Sequence, residues 1–237
     1  MALRRPSRFL RQSELSRRAV SISLLVLLGT ALSLSWCYPS LPELLPVHFK
    51  QDGRPNGWQF RTVPRVLMPV FVQLAIFSTC GAIGRLLRSR TDAPAAASMP
   101  DARAAVTAAE AVMLMASIWV AFQAYAAYAL VRVWANGRAT LGVGYTLAEL
   151  AGLVVTLVVA IRAQRQLARP GALPYVATDW RLRQLYCNPD HPALFVPTRD
   201  GRKWTLNFGR PAAVVLLGGI LAVGVLAPTV MLALALR

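Results

Sequence analysis

Two sets of residues in this 237-residue chain have the types and spacing to do chemistry. The first surrounds His48, with Glu43 five residues before it, Asp52 four after and Trp58 ten after. An imidazole changes charge near neutral pH, and two carboxylates beside it would tune that change. A zinc site is not expected from this set: the three donors lack the usual ligand spacing, and the only other histidine, His191, falls on the opposite side of the topology derived below. The alternative for His48 is a structural imidazole held by loop carbonyls. The second set centres on Glu149, which lies about eight residues into an apolar stretch, or ~12 Å deep at 1.5 Å per residue. An acid at that depth is costly unless it is partnered, protonated or facing water. Counting to equal depth elsewhere brings Gln73, Gln123 and Tyr125 to the same layer, near Thr30 and Ser33. The alternative for this layer is a hydrogen-bonded cluster that only packs helices. Glu110 reads as an interfacial acid in the first turns of a helix, and Arg132 as a cation snorkelling outward. No phosphate loop, nucleophile elbow, HExxH or dinucleotide fingerprint occurs, so no catalytic residue, metal or cofactor is expected and binding is favoured over catalysis.

The elements that must hold these residues are five apolar stretches, Ala19–Cys37, Val66–Leu87, Val106–Val133, Leu141–Ile161 and Ala212–Leu236. Each approaches or exceeds the ~20 residues that span a bilayer core. Mean hydropathy is +0.47 although the net charge is +16, which requires the charges to be confined to loops. Six of the 26 Lys and Arg precede the first stretch, four fall around the second loop and nine around the fourth, all on one side of an alternating path; seven lie on the other. The excess places the N-terminus in the cytoplasm. The expected fold is therefore an all-α integral membrane protein of five helices with a small cytoplasmic β-hairpin. The basic excess serves orientation and anionic headgroups, so the bilayer is the expected partner and nucleic acid is not. Ser16-Arg17-Arg18 before an apolar run has the look of an export signal, but no small-residue cleavage site follows, and a retained helix is expected. Cys37, Cys80 and Cys187 are too separated by that path to pair.

The chain then divides into a basic leader (1–18), a first pair of helices around a proline-rich outer loop (19–88), a cytoplasmic linker (89–103), a helical hairpin (104–161), a cytoplasmic loop (162–210) and a last helix (211–237). Asn136-Gly137 marks a tight turn between the third and fourth helices. The outer loop, with prolines at 39, 42, 46, 55 and 64, reads as a turn-rich segment in which Gly53 and Gly57 supply positive φ. In the fourth loop, Leu194–Thr198 and Lys203–Asn207 flank Asp200-Gly201, a hairpin signal. Its Trp204 and Phe195 among Arg199, Arg202 and Lys203 suit a lid on the inner leaflet, or a docking face for a partner protein.

Two stretches resemble known families. Tyr38-Pro39-Ser40-Leu41-Pro42, then Pro46-Val47-His48-Phe49 and Gly53…Gly57-Trp58, resembles the bacterial domain of unknown function 1648, which also forms the N-terminal part of SdpI-type immunity proteins. Gln59-Phe60-Arg61 stand where members of that family often carry a small residue and a Lys. Tyr186, Asn188, Pro189 and Asp190, followed by Phe195, Trp204 and Asn207, resemble the small domain of unknown function 5808, with His191 at a position often held by Asp. The resemblance implies a bacterial inner-membrane protein of the immunity or envelope-stress kind, with a secreted peptide or another membrane protein as partner at the His48 loop. The alternative is a small transporter or permease-like component that uses Glu149.

Overall fold

The computed structural model describes residues 8–50, 53–90, 100–137, 140–167 and 176–219. The described chain is mostly helical, with four two-stranded sheets. Among the described residues four helices are long and apolar enough to cross a membrane: α1 (Glu14–Cys37), α3 (Met68–Leu87), α4 (Pro100–Asn136) and α5 (Val143–Gln166). A single turn, α2 (Val63–Val66), precedes α3. These four suggest a membrane protein. Of the expected fifth helix, residues 211–219 are helical and the remainder of Ala212–Leu236 lies outside the described residues, as do Met1–Ser7 of the basic leader.

Local sequence explains where the helices begin and end. Glu14 opens α1 and pairs with Arg17 at 2.7 Å and Arg18 at 3.2 Å, one turn away. Pro69 has no N–H to continue the ladder from α2, and the helix is interrupted just before it, at Leu67. Pro100 starts α4, where a missing N–H costs nothing, and Asp101 places an acid in the first turn. Gly137 ends α4 with φ of 59°, the left-handed conformation that Asn-Gly signalled.

By contacts the chain forms two compact units, with the division falling inside α3, α4 and α5. The first comprises Glu14–Gly81 and Ala111–Arg162. At its centre α1, α3 and α4 are pinned by two buried polar layers. In one, Ser23 Oγ donates to Ser117 Oγ at 2.9 Å, and Ser117 Oγ lies 3.1 Å from Ala19 O. In the other, Gln73 on α3 is fully buried and its Nε2 donates to Thr30 Oγ1 on α1 at 3.1 Å and to Val120 O on α4 at 2.9 Å. Small residues let α4 approach its neighbours closely: Ala116, Ala126 and Ala127 are all buried.

Helix α5 joins this core differently. Gly144, Ala148, Gly152 and Thr156 recur every fourth residue, one stripe down the helix. A methyl on Gly152 would lie 3.8 Å from Ile118 and 4.0 Å from Trp119 of α4, so that stripe is the contact face. Most of the rest of α5 is open, with Leu147, Val154 and Leu157 each 60% exposed. So large an apolar surface suits hydrocarbon, not water.

The second unit contains Ala82–Glu110 and the residues from Ala163 onward, together with those before Glu14. Strand β1 (Arg8–Phe9) pairs antiparallel with β4 (Ser89–Arg90). The Arg85 guanidinium sits 4.4 Å over the Phe9 ring, and Arg88 donates to Leu10 O at 3.1 Å. Two small hairpins follow, β5 (Trp180–Arg181) with β6 (Leu185–Tyr186) and β7 (Phe195–Pro197) with β8 (Trp204–Leu206). The second is the hairpin expected around Asp200-Gly201, and Gly201 has φ of 64°.

If Gln73 pins three helices at once, Gln73→Ala should destabilise the protein by about 1–2 kcal/mol, since it deletes both interhelical bonds and leaves a cavity between the helices. Ser117→Ala should cost less. Thermal denaturation in one detergent, wild type against both variants, measures the difference.

Candidate functional site

The 38–62 segment is not a string of turns but a twisted β-hairpin, β2 (Leu44–Phe49) paired with β3 (Pro55–Phe60). The prolines concealed it, because a proline within a run argues against a strand. Here both strands are edges, and Pro55 is the first residue of its strand, so the absent N–H groups cost no internal ladder. Alternate residues of β2 divide between two faces. Leu45 is fully buried in a cluster with Leu34, Leu41, Val66, Val133 and Trp134, with Val47 and Phe49 packed against it. Leu44 and Pro46 lie on the other face, and beyond Pro46 two register shifts break the alternation. Trp134 at the end of α4 donates its indole N–H to Pro46 O at 2.9 Å, fixing the middle of the hairpin.

Both ends of the hairpin are tied. At its base Arg61 N–H donates to Glu43 O at 2.6 Å. The Arg61 guanidinium donates to the carbonyls of Tyr38 at 2.9 Å and Pro39 at 3.1 Å and to that of Leu41, and lies 5.0 Å over the Tyr38 ring. It thereby ties the turn at 38–41, which follows α1, to the base of the hairpin. At the tip Gly53 has φ of 77° and accepts a hydrogen bond from Leu141 N–H at 3.1 Å, just ahead of α5.

His48 sits where the register shifts on either side of it. Its cross-strand partner is Gly57, and the imidazole lies so close that a Cβ there would be 2.8 Å from His48 Cδ2. Gly57 therefore does not supply positive φ, as expected from sequence; it supplies space for the imidazole. His48 is exposed and lines an open cavity of about 710 Å³ together with Lys50, Thr140, Tyr145, Thr146 and Glu149. Tyr145 and Glu149 are one turn apart on α5 and so share a face. The Tyr145 ring packs at 5.4 Å against Phe122 of α4, at the edge of the cavity that it and Glu149 share with the hairpin.

The remaining expected site residues scatter. Trp58 lines a second cavity, of about 520 Å³, with Pro42, Leu44, Pro46 and Trp134. Glu43 is exposed at the hairpin base and lines neither cavity, and Asp52 lies outside the described residues. Of the expected polar layer, Gln73 and Thr30 meet inside the core. Glu149 opens to the first cavity instead. Gln123 is half-buried on α4, and Tyr125 places its hydroxyl 2.6 Å from where a side chain on Gly144 would begin. Lys50, Tyr145 and the clamp Arg61 were not singled out from sequence. Lys50 carried a signal, two residues beyond His48; Arg61 carried none, because its partners are main-chain carbonyls. The cavity thus offers an imidazole, an ammonium, a carboxylate and hydroxyls on one wall set, which suits binding of a polar or zwitterionic group. Among the described residues no three His, Cys, Asp or Glu come together closely enough to hold a metal ion.

The second motif, around Tyr186 and Asn207, turns out to be architectural. Asn207 is fully buried; its Oδ1 accepts from the N–H groups of Asn188 at 3.1 Å and Gly209 at 3.0 Å, and its Nδ2 donates to Asn188 O at 2.8 Å and Ala193 O at 3.3 Å. Asn188 Oδ1 accepts from the N–H groups of Asp190 at 2.9 Å and His191 at 3.1 Å, turning the chain at Pro189. Tyr186 packs edge-on between Trp180 and His191 and donates to Asp179 at 3.3 Å. Burial, then the Asp179 charge, pushes its phenol above the usual range, so it stays a neutral donor. Gly209 has no room for any side chain, since a Cβ would fall 2.5 Å from the Asn188 backbone. Phe195 and Trp204 are half-buried strand residues at the two ends of the β7–β8 pairing.

No protein-family model matches the chain, and comparison with curated proteins and with solved structures finds no match.

Two outcomes follow from these contacts. Gly57→Val should expel the imidazole from its slot and remove His48 from the cavity wall while leaving α1–α5 intact, detectable as a changed His48 ring environment by NMR with unchanged helical circular dichroism. Asn207→Ala should cost about 3 kcal/mol or more, because it leaves several buried main-chain groups unpaired at about 1–3 kcal/mol each. Its measure is protease sensitivity of the 176–210 region against an intact helical core.

Proposed function

We propose that this chain is a multi-pass protein of a bacterial cytoplasmic membrane that recognises a secreted peptide at its outer face, in immunity or in an envelope-stress response, without chemical turnover. The observation that carries the reading is the meeting of His48 and Glu149, distant in sequence, on the walls of one open cavity. In this reading the chain has five spans, with the N-terminus in the cytoplasm by its basic excess, and the β2–β3 hairpin and the cavity face outward. The motif resemblance of residues 38–58 supports the immunity or stress role. The cavity chemistry supports a peptide: Glu149 suits a basic group, Lys50 and His48 suit acidic or carbonyl groups, and the open apolar flank of α5 suits a membrane-active segment.

Transport through Glu149 is the competing reading. Binding is favoured because Glu149 opens to the hairpin cavity, whereas the interior of α1, α3 and α4 is closed by a fully buried Gln73.

Growth of wild-type, deletion, His48→Ala and Glu149→Gln cells across a panel of envelope-active peptides, with membrane levels matched, tests the proposal. All three changes should sensitise cells to the same peptide. In purified protein each substitution should weaken binding of that peptide roughly tenfold, the effect of losing one charge-assisted hydrogen bond. Unchanged sensitivity across the panel, or Glu149-dependent flux in liposomes, would sink the recognition reading.

A further inference from the structure

The β5–β6 hairpin has an unusual tip. Leu182 and Arg183 are consecutive residues with positive φ, 50° and 60°, and neither is glycine. The turn is closed by Gln184 N–H donating to Arg181 O at 3.1 Å. Left-handed backbone is unfavourable for side chains with a Cβ, so such strain persists only where the surroundings or a function hold it. The surroundings do not, because Leu182 is 86% exposed and residues 181–185 are all on the surface. Glycine would satisfy this turn at no loss of packing. A large apolar side chain is instead held out in solvent between two arginines.

The base of this hairpin fixes what the tip can reach. Tyr186 O accepts a hydrogen bond from Phe208 N–H at 2.8 Å, and the helix at 211–219 starts three residues later. Four residues separate Tyr186 from Leu182, an extended reach of at most roughly 14 Å. The tip is therefore tethered close to the first turn of an apolar helix. Strand β6 packs beside β8, whose hairpin adds exposed Arg199, Arg202 and Lys203. A basic cluster next to a membrane span is attracted to anionic headgroups, and an apolar side chain among such cations can cross into the acyl boundary.

We propose that the Arg181–Leu182–Arg183 turn is an interfacial foot, with Leu182 entering the acyl boundary of an anionic leaflet and the flanking guanidiniums binding its phosphates. The proposal rests on the reading of residues 212–236 as a membrane span. It leaves the His48 cavity uninvolved, so the two functional claims fail independently.

The test uses the full chain in nanodiscs of phosphatidylcholine alone or mixed with phosphatidylglycerol, with Cys37, Cys80 and Cys187 replaced by Ala. A spin label at Leu182→Cys should be more accessible to oxygen than to a water-soluble nickel chelate in the mixed discs. That preference should vanish in phosphatidylcholine and in the Arg181→Gln, Arg183→Gln double variant. With the label at Gln184→Cys and Leu182 retained, adding Leu182→Gly should raise nickel accessibility several-fold without lowering the melting temperature. A label at Val215→Cys, on the exposed side of the helix at 211–219, reports on the membrane reading itself. If it is not oxygen-accessible, that reading falls and takes the foot with it. If it is, then a residue-182 label open to nickel in both lipids overturns the foot alone. A label shielded from both reagents marks a protein contact and also overturns it, as does a lowered melting temperature for Leu182→Gly.

Discussion

Gln73 is the side chain on which the helical unit depends, because from α3 its amide bonds α1 and α4 simultaneously. Apolar contacts alone would not select this arrangement in a bilayer, where lipid tails compete on equal terms with Leu and Val. A carboxamide has no such alternative in hydrocarbon: the Gln73 Nε2 finds its partners on α1 and α4, although its Oε1 is buried without one among the described residues. Thr30 serves it well: its hydroxyl donates to Val26 O at 2.8 Å, leaving a lone pair free to accept from Gln73. Once those three helices are set, the ends of α1, α3 and α4 converge under Leu45, and the hairpin has a floor.

The hairpin in turn is a two-stranded sheet, which does not persist alone. Its stability is borrowed from the buried row of Leu45, Val47 and Phe49, from the Trp134 indole, and from the Arg61 clamp. Each of these acts on the inner face or the base. So held, the hairpin carries His48, and the close His48–Gly57 pairing fixes where the imidazole lies. Val47 and Phe49, which pack against the core, also line the His48 cavity, so the structural load and the proposed recognition surface meet on one strand.

The sequence made the helices legible through length and apolarity, and Asn136-Gly137 and Asp200-Gly201 through their turn chemistry. It did not make β2–β3 legible, since Pro46 and Pro55 break the alternation that signals a strand. Equal-depth counting correctly put Gln73 with Thr30, because depth is a matter of rise per residue. It could not separate Glu149 from them, because azimuth around each helix depends on packing. On α5 the small stripe at 144, 148, 152 and 156 turns toward α4, so Glu149, one residue past Ala148, is rotated by about 100° and looks elsewhere. The stripe was readable in the sequence and would have given that rotation. The role of Arg61, and of Asn207, which only the motif resemblance singled out, was opaque for a different reason: their partners are main-chain atoms, which leave no pattern in residue types.

The same geometry sets where the molecule is least firmly held. Among the four long helices α5 has the smallest buried share, 6% of its apolar window against 39% for α4. Its attachments within this unit are the small-residue stripe, the Tyr145–Phe122 ring contact and the hydrogen bond from Leu141 to Gly53 at the hairpin tip. Elements with few buried contacts open at the lowest free energy, and binding sites draw on them. The wall of the His48 cavity that carries Glu149 is therefore the one with fewer contacts to the rest of the protein, whereas the wall that carries His48 is clamped at both ends. A ligand bridging the two walls would add contacts where the fold has fewest. Its binding would then be felt first as an ordering of α5 rather than as a movement of the hairpin.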